Sequence, residues 1–185
     1  MSHKIIKDAE ARMAKAVEST RAELSKIRTG KASPALLDSV RVTYYGSAVP
    51  LSKVANINTP EPRLITIQPW EKNLIGEIEK AIQKADLGLN PQNDGNLIRV
   101  PIPPLNEERR QDLIRLGRKL AEEGRVAVRN VRRDAIEHLK KEKKEGTISE
   151  DDEKKLEKEA QKLTDANAAK IDDILKKKEA EVMEV

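Results

Sequence analysis

All nine prolines of this 185-residue chain fall between Pro34 and Pro104, and none falls on either side. Proline fixes φ and removes a backbone donor, so the interior of a long helix excludes it. Residues 1–29 and 105–185 are therefore free to run as continuous helix, whereas residues 30–104 are not. The aromatic residues follow the same division: Tyr44, Tyr45 and Trp70 lie in the middle block, and there is no phenylalanine. This layout predicts a helical domain into which a second, different domain is inserted.

In the first flank, apolar or small residues at Ile6, Ala9, Met13, Val17, Thr20, Leu24 and Ile27 recur in steps of three and four, tracing one helical stripe. The last flank opens at Ser149, a good N-cap, followed by Glu150, Asp151 and Asp152, which suit a helix N-terminus. Its stripe is Leu156, Ala160, Leu163, Asn167, Ile171, Ile174 and Val182. Between the two, Pro101, Pro103 and Pro104 block an early start and Asn106 can cap a helix that reaches about Glu145, before Gly146. Such a helix is roughly 60 Å long. With 37% charged and 2% aromatic residues, the chain can fill narrow seams between helices but not a wide core around rings.

The middle block reads differently. Residues 39–45 alternate and are β-branched, residues 54–58 and 64–68 read as two further strands, and residues 97–100 as a last one. Residues 71–86 read as a helix with Leu74, Ile75, Ile78, Ala81 and Ile82 on one face. Asn93-Asp94-Gly95 is a turn signal. The class is α+β: a helical bundle of residues 1–29 and 105–185 with an inserted small α/β domain at 30–104. Two short connections, 28–31 and 103–106, join them. Thr29, Gly30, Pro103, Pro104 and Leu105 form a candidate hinge, in which Gly30 supplies freedom and the prolines restrict the return.

Charge is unevenly placed. The net formal charge is +4, yet residues 1–29 carry +3, residues 106–140 carry +3 and residues 147–185 carry −4. Either a polyanion binds one side of the molecule, or the acidic segment neutralises the basic ones across the bundle. The long helix narrows the choice. Taking Leu113, Leu116, Leu120, Ala127, Val131 and Ala135 as its apolar face, the arginines at 115, 118, 125, 129, 132 and 133 share an arc of about 100° nearly opposite. A solvated face paired with Glu122, Asp134 and Glu137 explains any one of them. Six in one arc favour phosphate contact with folded RNA, since the guanidinium fork meets phosphate oxygens in pairs. Gly117 and Gly124, seven apart on or beside the apolar face, fit a close helix approach better than a flexible joint.

Catalytic sets are missing: His3 and His138 lie far apart without a cysteine or paired carboxylates, and there is no phosphate-binding glycine loop or metal-ligand spacing. The acids at 150–153 are explained by helix capping. No cysteine, no membrane-length apolar run and no apolar leader at the N-terminus make a cytoplasmic protein the default, with no membrane partner.

Several segments resemble the ribosome recycling factor family of bacteria. They are Lys26-Ile27-Arg28-Thr29-Gly30-Lys31-Ala32-Ser33-Pro34, Tyr44-Tyr45-Gly46, Asp86-Leu87-Gly88-Leu89-Asn90-Pro91, Leu105-Asn106-Glu107-Glu108-Arg109-Arg110 and Val126-Ala127-Val128-Arg129-Asn130-Val131-Arg132-Arg133-Asp134. The resemblance spans nearly the whole chain. It implies an L-shaped protein in which an antiparallel three-helix bundle and a β/α/β sandwich are joined by a flexible elbow. It also implies a non-enzymatic, monomeric factor that binds the post-termination ribosome, chiefly large-subunit rRNA, and splits it together with elongation factor G. The partner hydrolyses the GTP, and this chain needs no cofactor of its own. Arg129, Arg132 and Arg133, with Arg110, match the family's RNA-facing positions; Arg118 and Arg125 join them from the helical arc. Arg28 and Lys31 match its basic elbow, with lysine where arginine is frequent. Trp70 is expected to pack. Two other classes stay open: a helical chaperone or scaffold whose charged stripes meet protein partners, and an RNA-cleaving enzyme, which the lack of an acid, base or metal set disfavours.

Overall fold

A computed structural model describes residues 3–184. The chain forms two compact units, residues 3–29 with 107–184, and residues 30–106.

The first unit consists of α1 (Lys4–Ser25), α3 (Glu107–Lys144) and α4 (Glu150–Met183), with α2 lying in the other unit. Ile6, near the start of α1, packs with Leu139 near the end of α3 and with Leu156 and Ala160 near the start of α4. The helix between the other two therefore runs antiparallel to both. Ala9, Met13 and Val17 continue the seam with Ala121, Val128, Val131, Ala135 and Ile171. All seven residues of the predicted α1 stripe are buried. Buried hydroxyls are met locally: Thr20 Oγ1 donates to Ala16 O at 2.9 Å and Thr164 Oγ1 to Ala160 O at 2.8 Å. Asn167 Nδ2 donates to Leu163 O at 2.7 Å. Among the described residues no helix is long and apolar enough to cross a membrane.

The seam of α3 differs from the expected face. Its buried residues are Leu113, Ile114, Gly117, Ala121, Gly124, Val128, Val131, Ala135 and Leu139, whereas Leu116 is 44% exposed and Leu120 and Ala127 are half-buried. From Ile114 to Ala135 these residues step alternately by three and four, the coiled-coil period. Small residues occupy the seam because the helices approach closely there. A Cβ built on Gly124 would overlap Thr20 Oγ1 and lie 3.0 Å from its Cγ2.

Helix ends are fastened by side chains. His3, without an evident partner in the sequence, accepts from Ile5 N at 3.3 Å through Nδ1, and its Nε2 lies 3.2 Å from Glu142. The α3–α4 turn passes through Gly146 at φ +79°. Buried Glu153 pairs there with Lys143 at 2.6 Å. Ser149 and Asp152 form a reciprocal capping box. The Ser149 hydroxyl, then its backbone N–H, hold the Asp152 carboxyl below its ordinary value of 3.8. A depressed folded-state value means that the cap stabilises fully above the unfolded value and is lost as pH falls through the folded one. Melting by circular dichroism between about pH 2 and pH 6 should show the wild type losing stability below about pH 4. In Asp152→Asn the part of that loss due to the cap should disappear.

The second unit has strands β1 (Arg41–Tyr44), β2 (Ser47–Pro50), β3 (Ala55–Glu61), β4 (Leu64–Pro69), β5 (Gln92–Asn93) and β6 (Ile98–Pro101), with α2 (Ile75–Lys84) between β4 and β5. β1 and β2 form a hairpin, and the other four form an antiparallel sheet in the order β3-β4-β6-β5. Tyr45 and Gly46 both have positive φ, as a two-residue hairpin turn requires. Pro60 is tolerated because β3 is an edge strand with an irregular register after Asn58. Val42, Ile65, Ile67, Ile78, Ile82, Ile98 and Val100 meet in one core. Trp70 does not pack into it: the residue is 60% exposed, and its indole Nε1 donates to Asn56 Oδ1 at 3.1 Å. The turn that leads from β4 toward α2 carries it outside the layers.

Candidate nucleic-acid interface

The arginine arc of α3 flanks the helical seam rather than standing opposite it. Relocating the seam to Gly117, Ala121, Gly124 and Val128 brings the arc to about 100° from the seam's centre. One edge of the arc therefore faces α4. Arg115 pairs along its own helix with Asp112 at 3.4 Å, and the other five arginines divide into two groups.

Arg118 and Arg125, seven residues apart, reach across to α4. Arg118 Nε lies 2.7 Å from Glu179, and Arg125 Nη1 lies 2.5 Å from Asp172. Arg125 also contacts Glu122 at 2.8 Å and is only 21% exposed. Burial opposes its charge, but the bonds to Glu122 and Asp172 outweigh it and raise the guanidinium pKa. Glu122 is held below the usual carboxylate range by Arg125 first and Arg129 second. The acidic segment thus neutralises part of the basic one across the bundle, and these two cations are largely committed to the fold. Sequence reasoning missed their α4 partners, because the register between two helices is not written in either helix alone.

Arg129, Arg132 and Arg133 keep more of their charge. Arg132 Nη1 donates to Gln161 Oε1 at 2.8 Å, a neutral amide that orients the guanidinium without cancelling it. Arg133 is exposed and has no ion pair among the described residues. Arg129 shares Glu122 at 3.1 Å with Arg125. Asp134, expected to pair along the helix, instead binds Arg12 of α1 at 2.7 Å. These three arginines form a cationic stretch within about 6 Å of helix rise. Arg110 is half-buried near the start of α3, about 33 Å before Arg132 along the axis, and does not join them.

The candidate elbow residues lie at the boundary of the units. Arg28 is exposed and Thr29 half-buried at the end of the first unit; Lys31 is half-buried at the start of the second. Gly30 has φ +76°, and a Cβ there would sit 3.1 Å from Leu105 Cγ. Pro103 and Pro104 are exposed. Two hydrogen bonds pin the ends of the inserted unit to a single turn: Ala32 N donates to Pro62 O at 2.7 Å and Ile102 N to Arg63 O at 2.8 Å.

Comparison with known proteins gives this arrangement a relationship. The family model described as ribosome recycling factor matches residues 20–183. A ribosome-recycling factor of Rubrobacter xylanophilus is 57% identical over 180 residues, covering 97% of each chain. That of Halalkalibacterium halodurans is 53% identical over 185 residues, covering all of both. A solution structure of a ribosome recycling factor superposes with a TM-score of 0.72 at 47% identity, again over the full length of both chains. Another solved neighbour, at TM-score 0.62 and 47% identity over 98% of each chain, is a Thermus thermophilus ribosome recycling factor, described together with Escherichia coli elongation factor G as bound to the post-termination complex. With both the bundle and the inserted unit covered by these matches, the chain belongs to the ribosome recycling factor family.

Proposed function

We propose that this chain, acting as a cytoplasmic monomer, binds the post-termination ribosome chiefly through large-subunit rRNA. It then separates the subunits together with elongation factor G, which hydrolyses the GTP. The observation that carries this is the likeness, at 47% identity over 98% of the chain, to a factor described with elongation factor G as bound to the post-termination complex. The geometry supports a mechanical role. A bundle about 57 Å long presents Arg129, Arg132 and Arg133 on one flank, stiffened from behind by the α1 and α4 seams. Arg110 and Arg28 on the bundle and Lys31 on the inserted unit are proposed as separate basic contacts near the connections. Arg118 and Arg125 contribute long-range field more than direct contact, since their forks are engaged by α4.

The elbow is proposed at 28–31 and 103–106. The bonds from Ala32 and Ile102 to the Pro62–Arg63 turn hold both ends of the inserted unit, which supports a joint outside them. That leaves Thr29, Gly30, Pro103, Pro104 and Leu105 to absorb a change in direction. Light scattering of post-termination ribosomes mixed with the chain, elongation factor G and GTP tests the whole reading: scattering should fall as subunits part, and a flat trace would refute recycling. Proline at Gly30 would not simply stiffen the joint, because its φ cannot reach +76°. Gly30→Ala strains the same point more gently and crowds Leu105. It is expected to slow splitting about tenfold while changing ribosome affinity less than about threefold. Equal losses in both would refute a working elbow.

A further inference from the structure

A second group of cations lies on the inserted unit. Arg41 and Thr43 project from one face of β1, two residues apart, while Val42 between them turns into the core. Lys80 and Lys84 lie one turn apart on α2. With Glu77, Ala81 and Gln83 these side chains line an open groove of about 550 Å³. Arg41 Nη1 donates to Asp38 O at 2.7 Å and to Val40 O at 3.2 Å, carbonyls that hold the guanidinium in place without cancelling its charge. Neither lysine has a carboxylate at ion-pair distance among the described residues.

This concentration has a small cost. Like charges one turn apart on a helix repel by about 0.2–0.5 kcal/mol, and the surrounding residues 30–104 are almost neutral, with eight basic and seven acidic side chains. Glu77 is the one carboxylate among the lining residues, against three cations. The groove has no aromatic wall on which a base could stack, and Ala81 is its one apolar side chain. It therefore suits neither a nucleobase nor an apolar peptide anchor. A guanidinium fork, two ammonium groups and a hydroxyl match a run of phosphate oxygens.

We propose that this groove binds the phosphodiester backbone of RNA, giving the inserted unit its own nucleic-acid contact, independent of the α3 arginines. The choice of RNA among polyanions rests on the ribosome reading above. The test uses the full-length chain as wild type, as R41Q/K80Q/K84Q, and as K53Q/K72Q, a control that removes two exposed lysines of the same unit outside the groove. Each is titrated with a fluorescein-labelled RNA hairpin and with ribosomes across a range of salt. The groove variant should bind about tenfold more weakly, with a salt slope smaller by about 2, and the control should match the wild type. All three replaced side chains are exposed, so circular dichroism should report an unchanged fold. Equal hairpin affinity and slope for groove variant and wild type overturn the groove. A wild type that ignores ribosomes overturns the recycling reading instead. Amide spectra of the labelled chain supply the remaining arm: shifts at residues 41, 43, 80 and 84 with the hairpin support RNA. Shifts there with polyglutamate alone make an acidic protein segment the occupant and overturn the proposal.

Discussion

Replacing Arg129, Arg132 and Arg133 together by glutamine should lower affinity for large ribosomal subunits by roughly a hundredfold and reduce the salt slope by about 2 to 3. The reason lies in how each charge is held. Arg132 rests on a neutral amide and Arg133 has no ion pair among the described residues, so both offer their full charge to phosphate. Arg129 shares a carboxylate that Arg125 already engages. Removing exposed Arg129 and Arg133 should therefore cost the fold little, within about 0.5 kcal/mol each, and half-buried Arg132 somewhat more. Glutamine is the better substitute, since glycine within α3 would add up to about 1 kcal/mol of helix cost and blur the result. The contrasting pair is Arg118→Gln with Arg125→Gln. Those side chains join α3 to Glu179 and Asp172, so their loss should lower the melting temperature while leaving affinity within about threefold. Filter binding and thermal melts of the two variants separate the roles. If the Arg118 and Arg125 pair lost as much affinity as the triple, the RNA edge would lie toward α4. If the triple kept its salt slope, these arginines would not touch phosphate.

The division between these two groups marks where the sequence stops being legible. The α1 stripe could be read directly, because its seam is made of residues whose size announces burial, such as Met13, Val17 and Leu24. On α3 the same rule misleads. The seam there belongs to Gly117, Ala121 and Gly124, while Leu116 and Val126 stand outside it. Where helices approach closely, the smallest residues are the most buried, and a stripe drawn through the leucines rotates away from the true contact. That rotation carried the arginine arc to the wrong side and hid its contact with α4. Trp70 failed for a related reason: its size suggests packing, but its place in a turn beyond the sheet decides its exposure. β2 was missed because Ser47–Pro50 carries one β-branched residue and ends in proline, and β5 because two residues show no period. The groove of Arg41, Lys80 and Lys84 joins residues some 40 positions apart, and only the packing of α2 beside β1 brings them together.

The close approach that misled the sequence reading makes an expectation of unusual sign. In an isolated helix, Gly124→Ala would stabilise by up to about 1 kcal/mol. In this bundle it should destabilise by about 1–3 kcal/mol, because the new methyl overlaps Thr20 Oγ1 and meets its Cγ2 and Cβ at 3.0 and 3.1 Å. For a chain of this size each kcal/mol shifts melting by about 2–4 °C. Gly117, seven residues earlier on the same seam, should behave in the opposite way. The nearest atom to a Cβ there is Leu175 Cδ1 at 3.4 Å, an ordinary contact at the end of a flexible side chain. Gly117→Ala should therefore be neutral or raise the melting temperature. Thr20→Ala removes the two colliding atoms and their bond to Ala16 O, so the double variant with Gly124→Ala should recover most of the loss. Thermal melts of the four chains complete the cycle, and a coupling of at least about 1 kcal/mol between positions 20 and 124 is expected. Additive effects would mean that α1 and α3 adjust apart at little cost. The arginines of the following two turns would then stand on a yielding support rather than a rigid one.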